Sequence, residues 1–469
     1  MTARTRLLSA VAVVAVAAFL GAAYVERVGV PAQGSTALDL SDGSRLAGLD
    51  ISTFFGRDQQ RQMIVTAYDR VEHAFYKPVA DEMLVSGEQK ALTTFLSARK
   101  VAMPVVPHAL ATGDRSHDLS LLENTLTSVQ KRYATVAPRE LYTEVALTGM
   151  LGGLGDPYTT YLSPQEISGL DEQLNGGNFG GIGVYIVQDQ KTGAIVVDPI
   201  EGNPAIKAGV RPGDTIVAVD GVSTLGQKID AVEHEIRGPN GTVVSLTLRR
   251  QDSKATTVVP VTRAQIHVPS VKAKIEDGIE YVRLADFGQT SADEVRQAML
   301  DGKAHHVRGY ILDLRNNGGG LLDAAVDISS LFVAQGPIVS TIDRAGDRDV
   351  RDASGQTIGA TPLVLLVNQY TASASEITAG AVQDNGVGTL VGEKTFGKGV
   401  VQSVYNLPDK GALKITTARY LTPKGRDIQH KGIVPDVVVN QRVDLPIIDT
   451  PADKQLIAAK KIIETKKDV

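Results

Sequence analysis

Hydrophobic and polar positions change period several times along the chain, and each change predicts a different element. From Leu7 to Val25 the run is uncharged and rich in Ala and Val, which leaves no polar face for a soluble helix. Gln62-Met-Ile-Val-Thr-Ala-Tyr-Asp-Arg-Val-Glu-His-Ala-Phe75 returns apolar residues at helical spacing. Residues 51–165 read as mostly helical, with a loop at 103–118. Further on, short apolar runs alternate with helical stretches. Tyr281-Val-Arg-Leu-Ala-Asp-Phe287, Gly309-Tyr-Ile-Leu-Asp-Leu314, Pro337-Ile-Val-Ser-Thr-Ile-Asp343 and Leu363-Val-Leu-Leu-Val367 read as strands. Ser291-Ala-Asp-Glu294 reads as a capping box opening the helix between the first two. Leu321 to Val333 reads as a second helix. Strands alternating with helices predict an α/β core with a largely parallel sheet. The chain is therefore read as multidomain α/β: an N-terminal segment at 1–27, a linker and helical region at 28–165, a glycine-punctuated strand domain at 166–265, an α/β core at 266–440, and a solvated helix or tail at 441–469.

Composition narrows the chemistry. A chain of 469 residues, 43% hydrophobic, has enough apolar material for several cores. Its net charge of −5, with no basic patch carrying interleaved aromatics, argues against nucleic acid as a partner. It contains no cysteine, which excludes disulfides, thiolate metal sites, a thiol nucleophile and a lipidated-cysteine anchor. Arg4 and Arg6 ahead of the Leu7–Val25 run make an export segment. Gly21 and Ala23 supply small residues for cleavage after Ala23, yet the run is close to membrane-spanning length. Cleaved signal and retained anchor both stay open. His73, His108 and His117 read as surface or structural. His305 and His306 are adjacent and face apart, so they do not suggest a metal pair.

The candidate chemistry centres on a serine and a lysine. Ser373 lies in Thr371-Ala-Ser373-Ala-Ser375-Glu376-Ile377, directly after an apolar strand; Lys398 lies in Thr395-Phe-Gly-Lys398-Gly399. No histidine falls between them. A serine hydroxyl needs a neighbouring base, and a lysine can serve only when burial lowers its pKa enough to keep it neutral. A turn from strand to helix also offers free backbone N–H groups to an oxyanion. The bland alternative is that Ser373 or Ser375 caps a helix, with Glu376 a favourable charge in its first turn. Gly392-Glu-Lys-Thr-Phe-Gly397-Lys398-Gly399 nearly spells a phosphate-binding loop. However, a glycine replaces the Mg²⁺-binding Ser/Thr, and a strand-like run follows where a helix is needed. A third element, Gly309-Tyr-Ile-Leu-Asp313-Leu-Arg315-Asn-Asn-Gly318-Gly319-Gly320-Leu-Leu322, is a strand running into a glycine cluster that can point N–H groups at one place.

Together these elements resemble the C-terminal processing (tail-specific) peptidases, Ser–Lys serine proteases that carry a PDZ domain. The likeness runs from about Leu147 to Val439. It includes Leu154-Gly-Asp-Pro-Tyr158, Tyr420-Leu-Thr-Pro-Lys-Gly425 and Gly432-Ile-Val-Pro-Asp436. The resemblance implies that Ser373 is the nucleophile, Lys398 the general base and Gln402 the residue orienting the amine. The N–H groups of Gly319 and Ala374 would form the oxyanion hole. Gly318 stands where the family usually has proline, which implies a looser loop. Phe179-Gly180-Gly181-Ile182-Gly183-Val184, Asn203-Pro-Ala-Ile-Lys-Ala-Gly209-Val-Arg211-Pro-Gly213-Asp214 and Ile216-Val-Ala-Val-Asp220-Gly221 resemble a circularly permuted, bacterial-type PDZ domain. Gly180, Gly181, Ile182, Gly183 and Val184 would bind the free C-terminus of a peptide, walled by the helix Ile229–Ile236. Arg211 reads either as near the groove or catalytic interface or as a solvated surface residue.

The expectation is thus an exported, periplasmic or otherwise extracytoplasmic serine endopeptidase, anchored or released according to the fate of the N-terminal segment. It would act on protein tails without metal or organic cofactor, and its helical region would pack around the core or join subunits. The rivals are an inert PDZ scaffold and an esterase or acyltransferase on a related core.

Overall fold

The computed structural model describes residues 51–174, 179–189, 192–200, 202–250, 253, 255–359, 362–441 and 448–465. The expected export segment, the 28–50 linker and Lys466-Lys467 lie outside the described residues. Contacts divide the chain into two units. One comprises residues up to 170, 273–287 and from 295 onward; the other comprises 171–272 and 288–294.

The first unit opens with helices α1 (Ile51–Ala74), α2 (Asp81–Ala98), α3 (Arg115–Arg132) and α4 (Arg139–Gly152), then β1 (Thr160–Leu162) and the start of α5 (Pro164–Leu174). The loop expected at 103–118 ends sooner, because Asp114 accepts the His117 N–H and caps α3. Helices α2 and α4 cross without room for side chains. A Cβ on Gly149 would lie 2.2 Å from Ala91 Cβ, and one on Gly153 would lie 1.9 Å from Met83 O.

The second unit contains β2 (Phe179–Gly181), β3 (Val184–Gln188), β4 (Ile195–Pro199), α6 (Pro204–Lys207), β5 (Asp214–Val219), β6 (Val222–Ser223), α7 (Ile229–Ile236), β7 (Val243–Arg249), β8 (Thr256–Thr262) and β9 (Ala264–Ile266). Its sheet runs β3-β4-β5-β7-β8, antiparallel throughout, around a core that includes Ile182, Val197, Val232 and Leu246.

The remaining elements are β10 (Val271–Glu276), β11 (Ile279–Leu284), α8 (Ser291–Ala304), β12 (Tyr310–Asp313), α9 (Leu322–Ser330), β13 (Pro337–Ile342), β14 (Arg348–Asp352), β15 (Leu363–Val367), α10 (Ala374–Asn385), β16 (Thr389–Gly392), β17 (Val400–Asn406), β18 (Ala412–Leu421), β19 (Val437–Val438) and α11 (Lys454–Thr465). The expected parallel sheet is present in β11-β12-β15-β16-β19. Strand β10 joins its edge through the short Asp277-Gly278 turn, which can only return the chain antiparallel, so this sheet is mixed. A second, antiparallel sheet of β1, β13, β14, β17 and β18 stands beside it. "Largely parallel" therefore holds for one of two sheets. One face of the second sheet, through Tyr405, Leu413 and Ile415, packs into the α1–α4 core.

Two further readings are corrected. Thr290 rather than Ser291 precedes the first turn of α8: its carbonyl accepts Glu294 N–H, and its hydroxyl bonds the Glu294 carboxylate. The segment expected as a solvated tail is partly core. Leu456, Ala459 and Ile463 of α11 are buried with Ile311, Val364 and Val391 of the parallel sheet, an apolar stripe that the intervening lysines obscure in sequence. At its start, Asp453 forms a buried pair with Arg315 at 2.8 Å, and Arg315 also binds Asp313. The C-terminal helix is thereby fastened to the strand that leads into Gly318-Gly319-Gly320.

Candidate active site

Strand β15 is buried along its whole length and delivers the chain into a tight loop ahead of α10. Thr371 Oγ1 donates to Leu314 O at 2.9 Å, and Ala372 N–H donates to Asn317 O at 3.0 Å. Ser373 follows with φ +56° and ψ −120°, a conformation costly for a residue with a Cβ. It is 2% exposed. Ser375 is buried as well, and its hydroxyl is committed to Asn317 O at 3.1 Å.

The serine turn and the lysine loop are tied together twice. Glu376 is fully buried, and its Oε2 accepts the backbone N–H of Ser373 at 3.0 Å and that of Lys398 at 2.9 Å. Its Oε1 accepts Gly397 N–H at 2.8 Å and the Thr395 hydroxyl at 2.5 Å. Burial pushes the Glu376 carboxyl up to about 7, against the pull of these four donors. The Tyr420 hydroxyl shares its hydrogen between Lys398 O at 2.6 Å and Ser373 O at 3.1 Å.

Lys398 is 1% exposed, with Nζ 4.7 Å from the centre of the Tyr158 ring. Desolvation, helped by the charge of Lys414, brings its pKa down to about 7, against the attraction of Asp156 and Glu376. Gln402 lies on β17 opposite Thr416 of β18, beside a bulge. Its Nε2 donates to Thr416 Oγ1 at 3.3 Å, and Thr416 Oγ1 donates to Asp156 Oδ2 at 2.6 Å. Gln402 Oε1 is buried and receives no hydrogen bond from the protein, which leaves it an acceptor for an amine.

Gly319 adopts φ +103°, and a Cβ there would lie 2.8 Å from both Ser373 Cβ and Ala374 N. The glycine cluster thus abuts the serine turn, where Ala374 is the first residue of α10 and its N–H is one that a helix leaves unsatisfied. The Gly319 N–H is already used: it donates to Asn317 Oδ1 at 2.8 Å. Gly318 has open space around it. Beside Ser373, the side chains of Leu322, Ile377, Val400, Val401 and Tyr420 line a narrow recess. Leu322 and Val401 also border a polar cleft of about 450 Å³ that includes His73, Arg344 and Arg351.

In the second unit, a groove of about 340 Å³ lies between β3 and α7. Gly181, Ile182, Gly183 and Val184 line it; Gly180 does not, because it packs on the turn at Gly238, whose N–H donates to Gly180 O at 3.1 Å. Strand β3 is hydrogen-bonded to β4 and forms the edge of its sheet. Arg237, rather than the exposed Arg211, reaches the groove. It stacks 4.1 Å over the Phe179 ring and pairs with Glu172 and Glu233.

Ser373, Ala374, Gly319, Lys398 and Gln402 therefore lie in one unit. Asp156, Tyr158, Thr395, Lys414, Thr416 and Tyr420 were not singled out from sequence, and Glu376 was read only as a first-turn charge. Asp156, Tyr158 and Tyr420 fall within Leu154-Gly-Asp-Pro-Tyr158 and Tyr420-Leu-Thr-Pro-Lys-Gly425, segments that carry the family likeness without an assigned chemistry, whereas Lys414 and Thr416 lie in neither. Among the described residues no cluster of His, Asp and Glu could hold a metal ion, and no helix is long and apolar enough to cross a membrane.

Comparison with known proteins places the chain in a family. Residues 278–439 match the model of peptidase family S41, and residues 195–250 match a PDZ domain. The chain is 40% identical over 331 residues to a carboxyl-terminal-processing protease of Synechocystis sp., covering 69% of this chain and 77% of that protein. It is 36% identical over 356 residues to a carboxy-terminal-processing protease of Bartonella bacilliformis, covering 74% and 81%. A solved photosystem II D1 C-terminal processing protease is similar at 30% identity and a TM-score of 0.44, over 85% of this chain and 99% of that one.

Proposed function

Since the chain belongs to the carboxyl-terminal-processing proteases of peptidase family S41, and is thus a serine peptidase acting on protein substrates, we propose that it cleaves through a Ser373–Lys398 dyad after its PDZ groove takes the substrate's C-terminal tail. The observation that carries this reading is the shared carboxylate oxygen of Glu376, which holds the backbone of Ser373 and the backbone of a buried lysine side by side.

Neutral Lys398 Nζ takes the proton of Ser373 Oγ as the oxygen attacks the scissile carbonyl carbon. Gln402 Oε1 accepts from the resulting ammonium and keeps it aimed. The oxyanion is received by the N–H groups of Ala374 and Gly319, the latter turning from Asn317 Oδ1 to do so. Lys398 then returns its proton to the leaving amine as the C–N bond breaks, leaving an ester on Ser373. Water gives a proton to Lys398, attacks the ester, and the proton passes back to Ser373 Oγ. In the second unit, an extended peptide adds to the open edge of β3, with its terminal carboxylate at the N–H groups of Gly181–Val184.

Arg4, Arg6 and the Leu7–Val25 run support export, with the enzyme working in the periplasm or another extracytoplasmic space. The test is paired. Fluorophosphonate labelling and peptide cleavage should both vanish in Ser373→Ala, with peptide binding kept, and both should survive in Ser375→Ala. Full cleavage by Ser373→Ala would overturn the assignment.

A further inference from the structure

The mechanism above uses one buried lysine, and the site contains a second. Lys414 is 4% exposed. It lies on β18 between Leu413 and Ile415, which both face the α1–α4 core. Alternation along the strand therefore turns Lys414 to the opposite face with Thr416, the residue that joins Gln402 to Asp156. Lys398 and Lys414 thus stand near one carboxylate.

We infer that Lys414 is a positioning residue for the reaction: a second buried cation that competes with Lys398 for Asp156 and so leaves the base free of its proton. The inference rests on the reading of Lys398 as general base. The groups facing Lys398 are Asp156 and Tyr158 from the segment before β1, Glu376 from α10, and Lys414 and Tyr420 from β18. Of the two anions, Glu376 is occupied by four donors. Asp156 already accepts the hydroxyls of Thr159 and Thr416, each at 2.6 Å. Burial lowers the Lys414 amine as well, but Lys414 has an anion that Lys398 lacks, Glu166 on α5, which together with Asp156 works against that burial. With Glu166 and Asp156 both favouring its charged form, Lys414 keeps its proton where Lys398 gives it up. Its charge then opposes protonation of Lys398, in the same direction as burial does. A like charge beside a catalytic amine is a known route to a neutral lysine near pH 7.

The experiment is the pH dependence of kcat/KM on a peptide substrate, from pH 5.5 to 10, for wild type, Lys414→Met, Lys414→Gln and Lys414→Arg. The pH dependence of fluorophosphonate labelling serves as a readout that does not need turnover. Removing the charge should move the acid limb upward by roughly one pH unit, the scale of a single like charge in a partly screened site. That is about a fivefold loss at pH 7 which closes above pH 9. Lys414→Arg should keep the wild-type midpoint. Two neutral variants are used so that poor folding of one does not decide the matter. An unmoved midpoint in the neutral variants, or an equal shift in Lys414→Arg, overturns the inference while leaving the dyad intact. Activity retained by Lys398→Ala would instead overturn the dyad and the inference with it.

Discussion

Replacing Lys398 with methionine should abolish cleavage and, at the same time, stabilise the enzyme in a pH-dependent way. The side chain keeps its length and loses its charge. In the unfolded chain the amine holds its proton up to its ordinary value of 10.5, whereas in the fold it does so only below about 7. The unfolded state therefore binds more protons between these values, and wild-type stability rises with pH across that window. Below pH 7 the full penalty for the buried lysine is present; above about 10.5 it has gone. The displacement corresponds to roughly 5 kcal/mol at its largest. Gln402 Oε1 has no protein donor in either enzyme, while exchanging the amine for a thioether beside Tyr158 changes the packing by an amount that does not depend on pH. The clean quantity is therefore the difference between two pH values. The stabilisation should be larger at pH 6 than at pH 10 by roughly 2–4 kcal/mol, read from denaturant midpoints of wild type and variant. A gain that changes by less than about 1 kcal/mol over that range would show that Lys398 does not pass from charged to neutral in the fold near pH 7, and the dyad would lose its base.

Other expectations follow from the same contacts. Lys398→Arg should stay inactive from pH 6 to 10, because a guanidinium holds its proton throughout, while wild-type kcat/KM climbs through about pH 7 as the amine loses its own; near-normal turnover by the arginine variant would show that charge alone matters. Glu376→Gln puts an amide NH₂ where two donors now meet one oxygen, either the N–H groups of Ser373 and Lys398 or the Gly397 N–H and the Thr395 hydroxyl. It should cost about 2–4 kcal/mol of stability and lower kcat by about a hundredfold with KM little changed, so a normal kcat would mean that the two loops need no common anchor. Titration calorimetry on the full-length Ser373→Ala enzyme should show an apolar-ended peptide binding about tenfold more weakly once its C-terminus is amidated. Equal binding would leave the PDZ domain with another task.

The strands, turns and helix starts around the candidate site could be read from sequence for a local reason. An apolar strand ending in small residues and a helix start, as at Leu363–Ser375, is a pattern contained in one short window. So is a glycine cluster after a strand, and so is Phe179–Val184. The pairing of β17 with β18 was not foreseen, although the run after Lys398 reads as strand-like, because β17 and the first half of β18 are buried on both faces. Buried runs of this kind do not show the alternation that marks a half-exposed strand. The burial of α11 was hidden for the converse reason: its lysines point to solvent and dominate the composition, while Leu456, Ala459 and Ile463 carry the packing.

The electrostatic setting of Lys398 belongs to a different class, because none of its neighbours is near it in sequence except through folding. Asp156 precedes β1, Glu376 opens α10 and Lys414 lies on β18. In the sequence Glu376 looks like an ordinary first-turn acid, and nothing local distinguishes it from the exposed acids that fill that position on other helices. What changes its meaning is the return of Thr395–Lys398 across the N-terminus of α10, which supplies three donors from a loop beyond β16. Those donors take up both oxygens of the carboxylate, so what Glu376 offers the lysine beside it is the attraction of its charge, alongside that of Asp156. A sequence can supply every charge in such a site and still not say which pairs will form. That choice decides whether Lys398 is a surface cation or a base, and it is made by the packing of β17 and β18 against the serine turn.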